Sequence, residues 1–316
     1  MLSLAIVIPA YNEELTLRQV ILDFHHACPD ASIVVVDNAS TDATTNVARR
    51  ALAEISGEGR THSQLIYEKR RGKAAAMRRA FSEVDADVYI MVDADCTYPA
   101  GDLAALLQPV QEGRADMVVG NRHAGERYRH ENKRPFHNWG NRLVVKLINS
   151  LFHGDLEDIL SGYRVMTKRF VKTYPILSRG FAIETEMSIH ALDKGFRIVE
   201  VPTHYSDRPE GSFSKLNTFR DGIRIVRLIF DIFVYFRPFI FFTSLALFLL
   251  MASLATGIVP VLEFYRTSYV SHVPLAILAS GLAILGLLSL FTGIILDGVA
   301  RAQRFNYNLQ LLQWRD

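Results

Sequence analysis

Two stretches of this chain, residues 239–259 and 273–296, carry no charged residue and are strongly apolar throughout. About 20 such residues in a helix cross the hydrocarbon of a bilayer. Two buried helices of a soluble domain would rarely both lack charge, so the pair is expected to form transmembrane spans. The linker 262–272 is short and makes the spans a hairpin with both ends on one side. It carries Arg266 against Glu263, whereas Arg237 precedes the first span and Arg301 and Arg304 follow the second. That arginine bias places the large N-terminal region in the cytoplasm and makes the protein a multi-pass inner (cytoplasmic) membrane protein.

Ahead of the hairpin, strand-like and helix-like segments alternate. Strands are expected at 3–9, 32–36, 64–67, 87–92, 116–119 and 197–202, and helices ending near Ala27, following Asp42, following Lys73 and over about 101–111. Short connections between them imply right-handed βαβ units and an α/β domain with a mainly parallel sheet. Polar residues collect after each strand: Asn12 and Glu13, Asp37, Gly72 and Lys73, Asp93 and Asp95, Asn121 and Arg122. Parallel strands bring all of these to one edge, where open α/β sheets bind ligands. Val92-Asp93-Ala94-Asp95 is the most pointed of these turns. Its two carboxylates follow a buried run and are hard oxygen ligands suited to Mg²⁺ or Mn²⁺ carrying a diphosphate. A helix cap plus a solvated acid explains the same residues. The turn after the second strand is also expected to hold a cap, supplied by Asn38 or Ser40.

Several classes are disfavoured. No Gly-x-Gly-x-x-Gly follows the first strand and no Gly-x-x-x-x-Gly-Lys-Ser/Thr occurs, against a dinucleotide fold or a P-loop. The 316 residues carry a net charge of only +2, with no long run of one sign, so a nucleic-acid partner is not expected. Cys28 and Cys96 lie far apart, which fits a reducing compartment. The N-terminus runs straight into a strand, so no signal peptide is expected. From Asn121 to Lys146 basic residues dominate, including Arg122, Arg129, Lys133 and Arg134. Their place after a sheet strand favours an anionic ligand or an anionic lipid surface over a merely solvated face. Asp158-Ile-Leu-Ser161-Gly162-Tyr163-Arg164 sets an acid, a tight turn and an arginine close together, and Glu184 and Glu186 open a helix where acids also suit the dipole. Arg208 to Lys215, with Ser214, is a basic loop that either closes over phosphates or is simply a connecting loop. Apolar residues from Phe219 to Phe236 recur at helical spacing between charges, as in a helix lying on a membrane.

In order along the chain, Pro9-Ala-Tyr11-Asn12-Glu13, Asp37-Asn-Ala-Ser40-Thr-Asp42, Gly72-Lys73, Asp93-Ala-Asp95 and Ser161-Gly162-Tyr163-Arg164 resemble the GT-A glycosyltransferases of family 2. More narrowly the chain is similar to the polyprenyl-phosphate glycosyltransferases, a group that includes dolichol-phosphate mannose synthases and undecaprenyl-phosphate glucosyltransferases. The resemblance implies a Rossmann-like GT-A domain over residues 1–216, an interfacial helix over 217–238 and the hairpin with a short tail over 239–316. It implies that Pro9, Tyr11, Glu13, Asp37, Lys73, Asp93, Ala94 and Asp95 hold the nucleotide sugar, with Asp95 and Asp93 on Mg²⁺ or Mn²⁺. Arg122, Arg134 and Ser161 would meet the acceptor phosphate, Arg208, Ser214 and Lys215 would cover the diphosphate, and Asp158, Asp95 and Arg164 would be catalytic. Three departures stand out. Thr97 occupies the place of a frequent metal-serving Gln, Asn38 replaces an acid, and the 134–141 segment lacks the usual Ser-Arg-Gly-Ala-Asn wording. No Gln-x-x-Arg-Trp is present, against a processive synthase.

The implied reaction is an inverting displacement that moves a hexose-type sugar from a nucleotide sugar, uridine rather than guanosine, to undecaprenyl phosphate. A phosphate monoester has a second pKa of about 6 and is largely ionised at neutral pH, so no strong general base is required. Transfer to diacylglycerol or a lipid-linked saccharide, and a non-catalytic scaffold with a degenerate nucleotide site, are the alternatives. The sugar, the polyprenol and homo-oligomerisation are not encoded in these motifs.

Overall fold

The structure is a computed structural model that describes residues 2–56, 63–124, 135–176, 183–206, 230–231, 234 and 236–313. The chain divides into two compact units, residues 1–217 and 218–315.

In the first unit β1 (Leu4–Ala10), β2 (Ser32–Asp37), β3 (Gln64–Tyr67) and β4 (Val88–Met91) are parallel neighbours, in the order β3-β2-β1-β4. Between them run α1 (Leu17–Ala27), α2 (Thr44–Ser56) and α3 (Lys73–Glu83). The apolar run of β4 is buried at every position, as a strand covered on both faces requires. Beyond it come α4 (Leu103–Gln111), β5 (Met117–Asn121) and α5 (Pro135–Phe152), then β6 (Arg164–Thr167), α6 (Lys168–Thr173), α7 (Ile183–Lys194) and β7 (Ile198–Pro202).

β6 inserts between β4 and β5 and is antiparallel to both, while β7 pairs parallel with β5. The described residues thus form a seven-stranded sheet, β3-β2-β1-β4-β6-β5-β7, in which β6 alone runs against the rest. Sequence reading expects a turn ending at Arg164, not a strand beginning there. Only four residues pair, and the first is an arginine. Chain order runs outward from β1 to β3 on one side and resumes at β4 on the other, so the crevice between the ends of β1 and β4 is the topological switch point.

The second unit contains α8 (Pro238–Thr267) and α9 (Val273–Gln313), both long and apolar enough to cross a membrane. Only 11% and 17% of their most apolar windows are buried, unlike core helices of a soluble domain. They pack through small residues: a methyl at Gly286 would lie 2.9 Å from Leu250 Cγ, and one at Gly293 2.9 Å from Phe242 Cβ. Ser253 Oγ donates across to the Ala279 carbonyl (2.7 Å) and Ser289 Oγ to that of Phe242 (3.0 Å). The helices outrun the expected spans, and the connection is 268–272, shorter than the expected 262–272. Hydropathy marks the part that prefers lipid, whereas the backbone ladder of α8 continues until Ser268 turns left-handed at φ 53°. Most of the expected interfacial helix over 217–238 lies outside the described residues.

Candidate active site

Three of the turns that leave the parallel strands contain a non-glycine residue at positive φ: Asn12 after β1 (54°), Ala39 after β2 (57°) and Cys96 after β4 (58°). Left-handed backbone is costly for such residues and persists where surrounding bonds dictate it. Those bonds are present. Asn12 accepts from the Thr41 amide (2.8 Å) and its own amide donates to Ser40 Oγ (3.1 Å), so the β1 and β2 turns are stitched together. Asn38 stitches the β2 and β3 turns, accepting from the Gly72 amide (2.6 Å) while donating to the Arg70 carbonyl (2.6 Å). Neither Asn38 nor Ser40 caps α2 as expected. Asp42 Oδ1 accepts from the Thr44 amide there (3.0 Å), and Glu14 accepts from that of Ala43 (2.8 Å).

Around this frame lie the residues expected for the nucleotide. Asp37 is fully buried and accepts from the Ser40 amide (3.1 Å) and from Thr45 Oγ1, so it organises its own turn. Pro9 pairs with Val36 within the sheet. Tyr11 is half-buried with the Arg71 guanidinium over its ring at 5.6 Å, and Glu13, also half-buried, receives the Thr16 and Leu17 amides on its carbonyl. Ala94 is buried, and its carbonyl accepts from Thr16 Oγ1 (2.6 Å), tying α1 to the β4 turn.

Lys73, at the start of α3, ties the β4 turn to α7. Its ammonium pairs with Asp93 and, at 2.6 Å, with Glu184 at the start of α7. Burial works against its charge, but the two carboxylates win and push its pKa above the ordinary lysine value. The sequence leaves Glu184 explicable as a helix-dipole acid. Its pairing with a residue 111 positions away is a tertiary fact. Asp95 is buried, and its Oδ1 accepts from Thr97 Oγ1 (2.6 Å) and from the Thr97 amide (3.2 Å). Thr97 is itself buried, so in place of the absent Gln it orients Asp95.

Asp93 is shaped from the other side by Gly162. A Cβ there would lie 2.4 Å from Asp93 Oδ2, so only glycine permits the approach. The Gly162 amide donates to Tyr98 Oη (2.9 Å), whose phenol is buried and held protonated by desolvation, a residue that sequence reading did not single out. Among the described residues no three His, Cys, Asp or Glu converge as a ready-made metal cage. Asp93 and Glu184 pair with Lys73, and buried Asp95 follows two residues after Asp93. Carboxylates in this turn suit a hard cation that takes its remaining ligands from diphosphate and water.

At the other end of the rim Arg122, directly after β5, grips Asp158 with Nε on Oδ2 (2.7 Å) and Nη2 on Oδ1 (2.8 Å), and its amide also donates to Oδ2 (3.2 Å). Burial pushes the Asp158 carboxyl up, but the Arg122 guanidinium and its hydrogen bonds more than offset it and hold the group below its ordinary value. Such a carboxylate is a poor general base. Arg122 also stands over the Tyr205 ring at 5.5 Å.

Two expected site residues lie in the interior. Arg164 is wholly buried and donates to the carbonyls of Ser161 (2.9 Å) and Ile159 (2.9 Å) and to Ser188 Oγ (3.0 Å). These bonds shape the turn beneath Asp93. Ser161 is likewise fully buried, and its hydroxyl donates to Tyr98 Oη (3.4 Å). Arg134, Arg208, Ser214 and Lys215 lie outside the described residues.

With this geometry in place, comparison with known proteins is informative. The family described as "Glycosyl transferase family 2" matches residues 5–174. The chain is 31% identical over 306 residues to a protein named glycosyltransferase AglJ from Haloferax volcanii, covering 96% of this chain and 95% of that one. It is also 31% identical to the polyprenol monophosphomannose synthase of Mycolicibacterium smegmatis, over 65% of this chain and 78% of that one. Among solved structures, glucosyl-3-phosphoglycerate synthase from Mycobacterium tuberculosis, in complex with Mn²⁺ and UDP-glucose, superposes with a TM-score of 0.55 at 19% identity. That match covers 74% of this chain and 78% of that one, and it speaks to the fold alone.

Proposed function

We propose, for a chain that belongs to glycosyl transferase family 2, that it moves a hexose-type sugar with inversion from a uridine diphosphate sugar to undecaprenyl phosphate. The observation that carries this reading is the polarity of one sheet edge. An acid-bearing end, where Asp93 and Glu184 pair with Lys73 and buried Asp95 follows two residues after Asp93, shares the rim with an arginine end formed by Arg122 on Asp158. A relative named polyprenol monophosphomannose synthase supports the acceptor class.

Asp95, with Asp93 beside it, would hold Mg²⁺ or Mn²⁺, which when bound supplies the positive charge that the leaving diphosphate needs. The protein's own part is placement. Thr97 fixes the Asp95 rotamer, Lys73 stays charged and sets Asp93, and Tyr11 and Asp37 lie in the turns that frame the nucleoside end. The family resemblance assigns Arg134 to the acceptor phosphate with Arg122, and Arg208, Ser214 and Lys215 to the diphosphate. At the acceptor end Arg122 offers its guanidinium to a phosphate dianion that shares it with Asp158 or displaces it. The nucleophile is ionised already, so Asp158 serves as the counter-ion that aims Arg122 and not as the proton acceptor. The hairpin α8–α9 suits a multi-pass anchor in the cytoplasmic membrane, with the catalytic unit on the cytoplasmic side where nucleotide sugars are made.

Titration of UDP into the purified full chain tests the donor half. Binding is expected to require Mn²⁺ or Mg²⁺, and Asp95→Asn is expected to weaken the metal-dependent component by about tenfold or more. UDP binding that is the same with and without metal and in the variant would refute the donor site.

A further inference from the structure

Glu200 stands on β7, the edge strand, in register with Val119 of β5 and two residues short of the rim. Nothing in the chain's motifs points to it. Its carboxylate accepts two consecutive backbone amides, that of Glu157 on Oε2 (2.9 Å) and that of Asp158 on Oε1 (2.8 Å). The two residues so captured are the ones that hold the end of β5. Glu157 accepts from Asn121 Nδ2 (2.8 Å), and Asp158 takes the Arg122 fork. Asn121 Oδ1 in turn accepts the His123 amide (2.8 Å), which fixes the backbone just past Arg122.

We infer that Glu200 is a positioning residue for the acceptor phosphate, acting through the 157–158 backbone to set the Asp158 carboxylate and hence the aim of Arg122. The inference rests on the reading of Arg122 as the acceptor-phosphate arginine. A carboxylate suits this role because each of its oxygens takes one of the two amides, whereas a glutamine in the same pose turns its NH₂ donor toward the second amide. An ordinary sheet residue would have no reason to be acidic here. Glu200 faces the carboxylates of Glu157 and Asp158, and burial with those neighbours raises its own pKa.

The test is steady-state transfer to undecaprenyl phosphate by the full chain and by Glu200→Gln. Thermal unfolding and Mn²⁺-UDP titration are run on the same preparations. The expected result is a rise of about tenfold in the acceptor KM, with UDP affinity within twofold of the parent. Combined with Asp158→Asn, the variant is expected to add far less than its single effect, since both act on one pair. If Glu200→Gln does not fold, Glu200→Asp keeps the charge, shortens the reach by one methylene and is expected to give the same split. An unchanged acceptor KM, or donor and acceptor constants that worsen in parallel with a lower Tm, overturns the inference. A parent that binds UDP but transfers nothing to undecaprenyl phosphate overturns the acceptor reading and the inference with it.

Discussion

At the scale of single residues, Asn38 shows why an amide stands directly after Asp37. It must accept from the Gly72 amide and donate to the Arg70 carbonyl together, which no carboxylate can do. Asn38→Asp is therefore expected to cost about 1–3 kcal/mol, read as a lower unfolding midpoint in detergent, because two carbonyls would face a charged oxygen. An unchanged midpoint would contradict this account of the turn. His190 on α7 has a different consequence. It lies among Phe170, Tyr174 and Phe196, and burial depresses its pKa to about 4. The fold thus favours the neutral ring, and the unfolded chain binds the extra proton below its own pKa of about 6.5. Stability should fall as pH drops from about 6.5 toward 4, by on the order of 2 kcal/mol between pH 7 and pH 5. His190→Phe should flatten that slope in thermal melts taken across the range, and an identical slope would rule the group out.

At the scale of elements, the account depends on turns from distant parts of the chain meeting at Asp93. Gly162→Ala would force its methyl into the Asp93 carboxylate and pull that group off Lys73, with an expected loss on the order of tenfold in Mn²⁺-UDP affinity. Gly101→Ala, where a Cβ meets nothing within 4 Å, is the matched control and should leave affinity unchanged. Equal affinities in both variants would show that the contact is irrelevant. The elements also show which parts of this architecture can be read from sequence. The parallel half, β1 to β4, was legible because its strands are apolar runs ending in polar turns, and Gln64–Tyr67 was expected with its exact bounds. β6 was not legible, because a four-residue strand that opens on a buried arginine has no periodicity to announce it. The same applies inside the site. Asp93, Asp95, Lys73 and Asp158 could be named from local motifs, whereas Glu184, Tyr98 and Glu200 are tied to the candidate site only through partners far along the chain.

At the scale of the whole molecule, one chain carries a catalytic unit of family 2 and a helical hairpin whose apolar windows remain largely uncovered by protein. A soluble acceptor would give such a chain no reason to carry a lipid-seeking hairpin, whereas an acceptor with a polyprenyl tail must be met at a bilayer. The most direct measurement is a panel of nucleotide sugars offered to the purified full chain in undecaprenyl-phosphate-containing vesicles, with Mg²⁺ or Mn²⁺ and with a chelator. The account predicts a glycosylated polyprenyl phosphate from one UDP-sugar, formed only when metal is present. Formation of no glycolipid from any donor, by protein that remains folded and in the vesicle fraction, would contradict it.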